Sequence, residues 1–232
     1  MRLLVVLCAV VMVPSAAAAG DPNRGRDLFR TGCSSCHGLD ARGIRGKGPD
    51  LHGAGAAAAD FYLTTGRMPL DQPRAQPDRA DPAYERKEIE DLVAYIGSLG
   101  GPPVPRVDVR RGSVSEGQRL FTENCAACHQ IAGRGGVVAG NYVPTLLEAT
   151  PRQIAEAVRI GPYVMPRFGE GQLSDDGIAS IARYVEYAKN PANPGGWELF
   201  DIGPVPEGMV AWLVGLLALV VVIRLIGKRD TP

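Results

Sequence analysis

Two cysteines and a histidine occur twice in the order Cys-x-x-Cys-His: Cys33, Cys36 and His37 in CSSCH, then Cys125, Cys128 and His129 in CAACH. That spacing reads as a c-type haem attachment site. Two thiols would fix the porphyrin through thioether bonds, and the adjacent imidazole would then reach the iron. A structural zinc site also uses Cys-x-x-Cys pairs, and exported cysteines also pair as disulfides. A histidine directly after the second cysteine, both times, favours haem over either alternative. The fifth cysteine, Cys8, lies in an apolar N-terminal run and reads as inert.

The sixth ligand decides what such an iron can do. Methionine opposite histidine raises the reduction potential and suits electron transfer, whereas an open position would admit a small molecule. Apart from the two motif histidines the chain has only His52, in GPDLHG, which reads as lining a loop near the haem edge. Beyond the N-terminal run the methionines are Met68, Met165 and Met209, and Met209 begins a second apolar run. Met68 and Met165 stand at equivalent places, each followed by proline. A buried methionine is usually core filling; the equivalence points to ligation instead. Pro49 and Pro144 are placed to offer a backbone carbonyl to each motif imidazole, which would fix its tautomer. Leu51 and Leu146 would pack on the porphyrin, and Tyr95 and Tyr184 read as packing residues.

These residues sit in a repeat. GRDLFRTGCSSCH aligns without a gap to GQRLFTENCAACH, GPDL (48–51) to VPTL (143–146), and GRMP (66–69) to YVMP (163–166). Each repeat closes with an amphipathic helix. Ile89, Leu92, Val93 and Ile96 in the first, and Ile178, Ile181, Ala182 and Val185 in the second, follow the i, i+3, i+4, i+7 rule. SEGQ (115–118) and TPRQ (150–153) have the form of capping boxes, the latter with proline at the first helical position. Ser174 before two aspartates suits a helix start. GGPPVPRVDVRRG (100–112) reads as an extended linker. The first repeat alone carries LDQPRAQPDRADPA (70–83), whose three prolines predict an irregular surface loop, either a contact surface or a tolerated insertion.

The two ends place the repeats. Residues 1–19 carry one arginine, then an 11-residue apolar run from Leu3 to Val13, then small residues, the pattern of a secretory signal peptide or an N-terminal anchor. Met209 to Ile223 is uninterrupted apolar sequence, extended to Ile226 if Arg224 snorkels; about 18 residues at ~1.5 Å each just cross a bilayer core. Arg224, Lys228 and Arg229 follow the span, so the positive-inside rule puts the C-terminus in the cytoplasm and the repeats on the extracytoplasmic side. Lysine plus arginine balance aspartate plus glutamate at 25 each, which gives no basic surplus for nucleic acid. Residues 21–100 hold 11 basic and 12 acidic side chains and residues 101–190 hold 10 and 9. Neither repeat has the one-signed surface that steers a diffusing partner.

In sum, the Gly-x-x-Leu-Phe helix, the Cys-x-x-Cys-His site, the Pro-x-Leu loop, Met-Pro and a closing helix with tyrosine resemble the class I cytochrome c family, twice. The expected fold is all-α, two tandem class I cytochrome c domains (20–100 and 114–190, linker 101–113) followed by a juxtamembrane segment (191–207), one transmembrane helix (208–226) and a cytoplasmic tail (227–232). With NPANPGGWELFDIGPVPEG before a single span, the chain further resembles the dihaem cytochrome c subunit of the actinobacterial cytochrome bcc complex. That resemblance implies two covalently bound c-type haems, attached through Cys33, Cys36, Cys125 and Cys128 and ligated by His37 with Met68 and His129 with Met165. It implies a subunit of a menaquinol:cytochrome c reductase with no substrate-converting site of its own. Its implied partners are a cytochrome b subunit, a Rieske iron–sulfur protein that supplies electrons, the copper centre of a haem-copper oxidase that takes them, and membrane lipid. A cytochrome subunit of another membrane dehydrogenase or oxidase, and a dihaem peroxidase, are the competing readings.

Overall fold

The structure is a computed structural model that describes residues 20–73, 76–191 and 204–227. The signal-peptide region with Cys8, most of the expected juxtamembrane segment and the last five residues lie outside the described residues.

The described residues up to Asn190 form one compact unit. In the first repeat α1 (Pro22–Gly32) and the single turn α2 (Ser34–His37) lead to α3 (Gly55–Thr64) and α4 (Arg86–Ser98). In the second, α5 (Val114–Asn124) and α6 (Ala126–His129) lead to α7 (Pro151–Ile160) and α8 (Asp175–Lys189). The first and last helix of each repeat cross at a glycine. A Cβ on Gly25 would lie 1.9 Å from the Asp91 carbonyl oxygen, and one on Gly117 would lie 1.9 Å from that of Ser180. The backbones touch there, so any side chain would push the helices apart. Beside each crossing an aromatic pair repeats almost unchanged: Phe29–Tyr95 and Phe121–Tyr184, both with ring centroids 5.3 Å apart, at 52° and 51°. Phe29 and Phe121 are the largest fully buried side chains of their clusters.

The helix starts follow from local chemistry. Thr150 and Gln153 form the expected reciprocal cap of α7, with Pro151 in the first turn, and Ser174 caps α8. The start of α5 lies earlier than SEGQ suggests: Ser113 caps it, accepting from the Glu116 amide. Glu85 and Glu88 close a capping box on α4 that its sequence, with glutamate in place of serine or threonine, does not advertise.

One departure from the expected all-α plan stands out. The second repeat contains a hairpin, β1 (Gly136–Val138) with β2 (Asn141–Val143), turning through Ala139 and Gly140, both at positive φ. A two-residue turn with both centres left-handed is the one whose twist suits paired strands. The first repeat has only an isolated bridge, Ile44 with Gly48, in the same place. The segment 101–113, expected as an extended linker, is bonded to both repeats. Its Pro102 carbonyl accepts from the Ala57 amide, Val109–Arg111 forms a 3-10 turn, and the Ser113 amide donates to Ser180 Oγ.

The two repeats meet through α3 and α7. Arg152 Nε lies 2.7 Å from Asp60 and 3.2 Å from Glu156, and Gln153 Nε2 donates to Thr64. The proline-rich loop 70–83 joins this seam: Gln76 donates to the Tyr142 carbonyl, and Arg79 donates to Gln153 and faces Glu148 at 3.7 Å. Its described residues, 70–73 and 76–83, form no helix or strand, as expected, and they are a contact surface within the chain.

Outside this unit, α9 (Pro204–Gly227) is apolar on every side. Its stretch Glu207–Gly227 has mean hydropathy 2.7 and is nowhere buried, which is the composition of a membrane span.

Candidate haem sites

A cavity lies beside each Cys-x-x-Cys-His motif. The first, about 670 Å³, is lined among others by Cys33, Cys36, His37, Leu51 and Met68. The second, about 350 Å³, is lined by Cys125, His129, Leu146 and Met165. Both fall within the usual size range of cofactor pockets, about 300–1,000 Å³. Cys128 is exposed and does not line the second cavity. His52 does not line the first; it is exposed and bonds the Asp40 carbonyl.

The histidines are oriented as their spacing from the prolines requires. His37 Nδ1 lies 2.9 Å from the Pro49 carbonyl oxygen and His129 Nδ1 lies 3.2 Å from that of Pro144. A carbonyl can only accept, so Nδ1 carries the hydrogen and Nε2 keeps its lone pair for a metal. The surrounding loops repeat in detail. Gly43 and Gly135 amides donate to the His37 and His129 carbonyls, and Leu51 and Leu146 amides donate to Ala41 and Gly133. Gly48 lies so close that a Cβ would sit 3.2 Å from His37 Cε1. Buried Val143 takes its place in the second repeat, where the histidine–proline bond is longer.

Titration follows burial. Burial pushes the Cys33 thiol up to about 11, reinforced by Cys36 and opposed by a hydrogen bond to Tyr84. Burial, then Cys128, also pushes Cys125 up to about 11. Burial pushes His129 down, partly offset by Pro144, so its ring is neutral. No three His, Cys, Asp or Glu side chains converge on a metal position among the described residues. Two thiols or one at the cavity wall, an imidazole with a free Nε2, a thioether sulfur and an apolar lining fit a covalently held porphyrin.

The family comparisons agree with this geometry. A family model described as cytochrome c matches residues 22–100, and one described as cytochrome c oxidase, cbb3-type, subunit III, matches residues 112–185. The chain is 38% identical over 216 residues to the cytochrome bc1 complex cytochrome c subunit of Mycobacterium tuberculosis, spanning 89% of this chain and 77% of that protein. It is 37% identical over 225 residues to the corresponding subunit of Corynebacterium diphtheriae, spanning 89% and 80%. The chain belongs to the family of cytochrome bc1 complex cytochrome c subunits. Its cytochrome c regions accordingly carry covalently bound c-type haem. A more distant relative is the cbb3-type cytochrome c oxidase subunit CcoP of Rhodobacter capsulatus, 30% identical over 208 residues, spanning 76% of this chain and 67% of that one.

Sequence reasoning missed several residues at these sites. Tyr163, from the second repeat, lines the first cavity, while Arg67, Gln76, Pro77 and Arg79, from the first repeat, line the second. Tyr163 packs edge-on against Tyr62, with centroids 5.7 Å apart. The signal was present in the mismatch of GRMP with YVMP. Gly66 (φ 63°) aligns with Tyr163 (φ 56°), a bulky residue in a backbone region that costs it about 1–3 kcal/mol.

Proposed function

We propose that the chain is the electron-relaying subunit of a menaquinol-oxidising bc1-type complex, with two haems held in two tandem class I cytochrome c domains, 20–100 and 114–190. Cys33 and Cys36 hold one haem and Cys125 and Cys128 the other; His37 with Met68, and His129 with Met165, are their axial ligands. Electrons arrive from a Rieske iron–sulfur protein beside a cytochrome b subunit and leave for the copper centre of a haem-copper oxidase. α9 anchors the chain, with its C-terminus cytoplasmic and the haem domains on the other side.

The observation that carries this reading is the duplication of one donor arrangement: histidine held by a proline carbonyl in each of two cavities that also present a Met-Pro methionine. When bound, each haem supplies a one-electron ferric–ferrous couple. The chain's own part is placement and tuning. Pro49 and Pro144 fix the imidazole tautomers, Met68 and Met165 raise the potentials, and Leu51 and Leu146 keep water from the porphyrin. Charges balanced in each half suit a tethered relay better than long-range capture of a mobile partner.

Pyridine haemochrome assay of the purified chain should give two c-type haems. Met68→Ala and Met165→Ala should each lower one potential and leave both haems attached. A redox titration unchanged in both variants contradicts the axial assignment. Crosslinking and mass spectrometry in mild detergent should find cytochrome b and Rieske neighbours. The likeness to the cbb3-type subunit supports a second reading, a subunit of a terminal oxidase, which the same experiment would reveal by its neighbours.

A further inference from the structure

Arg67 has surroundings that neither haem attachment nor axial ligation explains. It is only 7% exposed. Among the described residues its guanidinium forms no ion pair and no side-chain hydrogen bond. Its guanidinium carbon lies 5.5 Å from the centre of the Phe61 ring. Drawing a cation out of water without a counter-charge carries a desolvation cost, and a cation–π contact returns only about 0.5–2 kcal/mol. The charges and phenols that face it are Asp78, Arg79, Tyr62 and Tyr163. Asp78 is exposed and beyond ion-pair distance, and Arg79 adds to the positive charge. What Arg67 does face is the second cavity, which it lines together with Arg79. A guanidinium presents a planar fork matched to a carboxylate, and the occupant proposed for that cavity carries two carboxylates on an otherwise apolar ring.

We propose that Arg67, supplied by the first repeat, binds a carboxylate of the haem attached to the second repeat, with Arg79 adding to the positive field. This rests on the two-haem reading above. The second haem's site is then incomplete without the first repeat. Because a fixed positive charge beside a haem opposes the ferric state, Arg67 raises that haem's potential.

The test is a spectroelectrochemical titration of the full membrane-anchored chain carrying Arg67→Met or Arg67→Gln, beside Met165→Ala to mark the second haem. Both Arg67 variants should retain two haems per chain. At a fixed poise the reduced-to-oxidised ratio of the marked haem should fall about tenfold, which is about 59 mV for one electron; the other haem should stay within a fraction of that. Arg67→Lys, which keeps the charge, should recover most of the loss. Two attached haems with neither potential moved, or a shift confined to the haem marked by Met68→Ala, overturns the proposal. A single haem in the unmodified chain overturns the two-haem reading instead. If neutral variants fail to mature, a structure of the haem-loaded chain decides. A guanidinium–carboxylate contact within about 3.2 Å supports the assignment, and Arg67 paired with Asp78 refutes it.

Discussion

Glu156 is a buried carboxyl whose neighbours leave it protonated. Its Oε1 accepts from Arg152, while Oε2 is buried with no donor facing it, as suits an oxygen that itself carries the proton. Burial, then a hydrogen bond and repulsion from Asp60, push its pKa from 4.5 up to about 9. A carboxyl that binds its proton more tightly when folded weakens folding as pH rises, because between those values only the unfolded chain has lost the proton. Stability should therefore decline between about pH 4.5 and 9, with a slope of at most ~1.4 kcal/mol per pH unit from this group. Glu156→Gln should flatten that decline, read as melting temperature across pH 5 to 9; parallel profiles would remove Glu156 from the account. Asp91 works in the opposite sense. The Asp21 amide, then Lys87 and Arg24, hold its carboxyl below the ordinary 3.8 against the cost of burial. Its contribution is complete above that value and is lost on acidification. Neither residue was legible in the sequence, because each owes its state to partners distant along the chain. Asp91 and Asp21 are 70 positions apart. That Cys33, Cys36, His37 and Met68 share one cavity and Cys125, His129 and Met165 another could be read from the sequence, because that information is local spacing repeated along the chain.

The decisive feature among the elements is the glycine at each helix crossing. Gly117→Ala would put a methyl group 1.9 Å from a backbone oxygen that cannot swing aside. Overpacking of that kind costs about 1–3 kcal/mol or more, and the variant's thermal unfolding should come well below that of the parent. Equal melting temperatures would show that the crossing yields. The corresponding prediction for the α7 cap is milder: Thr150→Ala loses the side-chain half of the reciprocal cap, the bond from the Gln153 amide to Thr150 Oγ1, and should cost about 1 kcal/mol in denaturant unfolding. Element existence was readable from period and caps, so the closing helices and α7 fall where expected. The hairpin was not. Its turn is Ala-Gly, outside the usual Asn-Gly and Asp-Gly signals, and its strands are three residues long. The misplaced start of α5 has a similar cause: two serines two positions apart both satisfy a capping pattern, and only packing against Ser180 selects Ser113.

Over the whole molecule, the repeat was legible and its consequences were not. Internal alignment gives two copies of one plan, but nothing in either copy alone reveals that Tyr163 lines the first cavity and Arg67 the second. That exchange depends on how α3 meets α7 and on a loop that the second copy lacks. The loop's anchors can be weakened without touching a proposed axial ligand or attachment cysteine. Gln76→Ala with Arg79→Ala removes the bonds to Tyr142 and Gln153. The double variant should keep both haems yet unfold with lower cooperativity, seen as a shallower denaturant dependence followed by haem absorbance; an unaltered slope would make the loop an ornament.

The mutual lining of the cavities also bears on oxygen. An iron that has just accepted an electron can lose it to dissolved dioxygen if solvent reaches the ring, and closed sites suppress such side reactions. On the two-haem reading proposed above, the shielding of each porphyrin would depend on the opposite half staying in place, and slippage at the seam would leak superoxide from both centres at once.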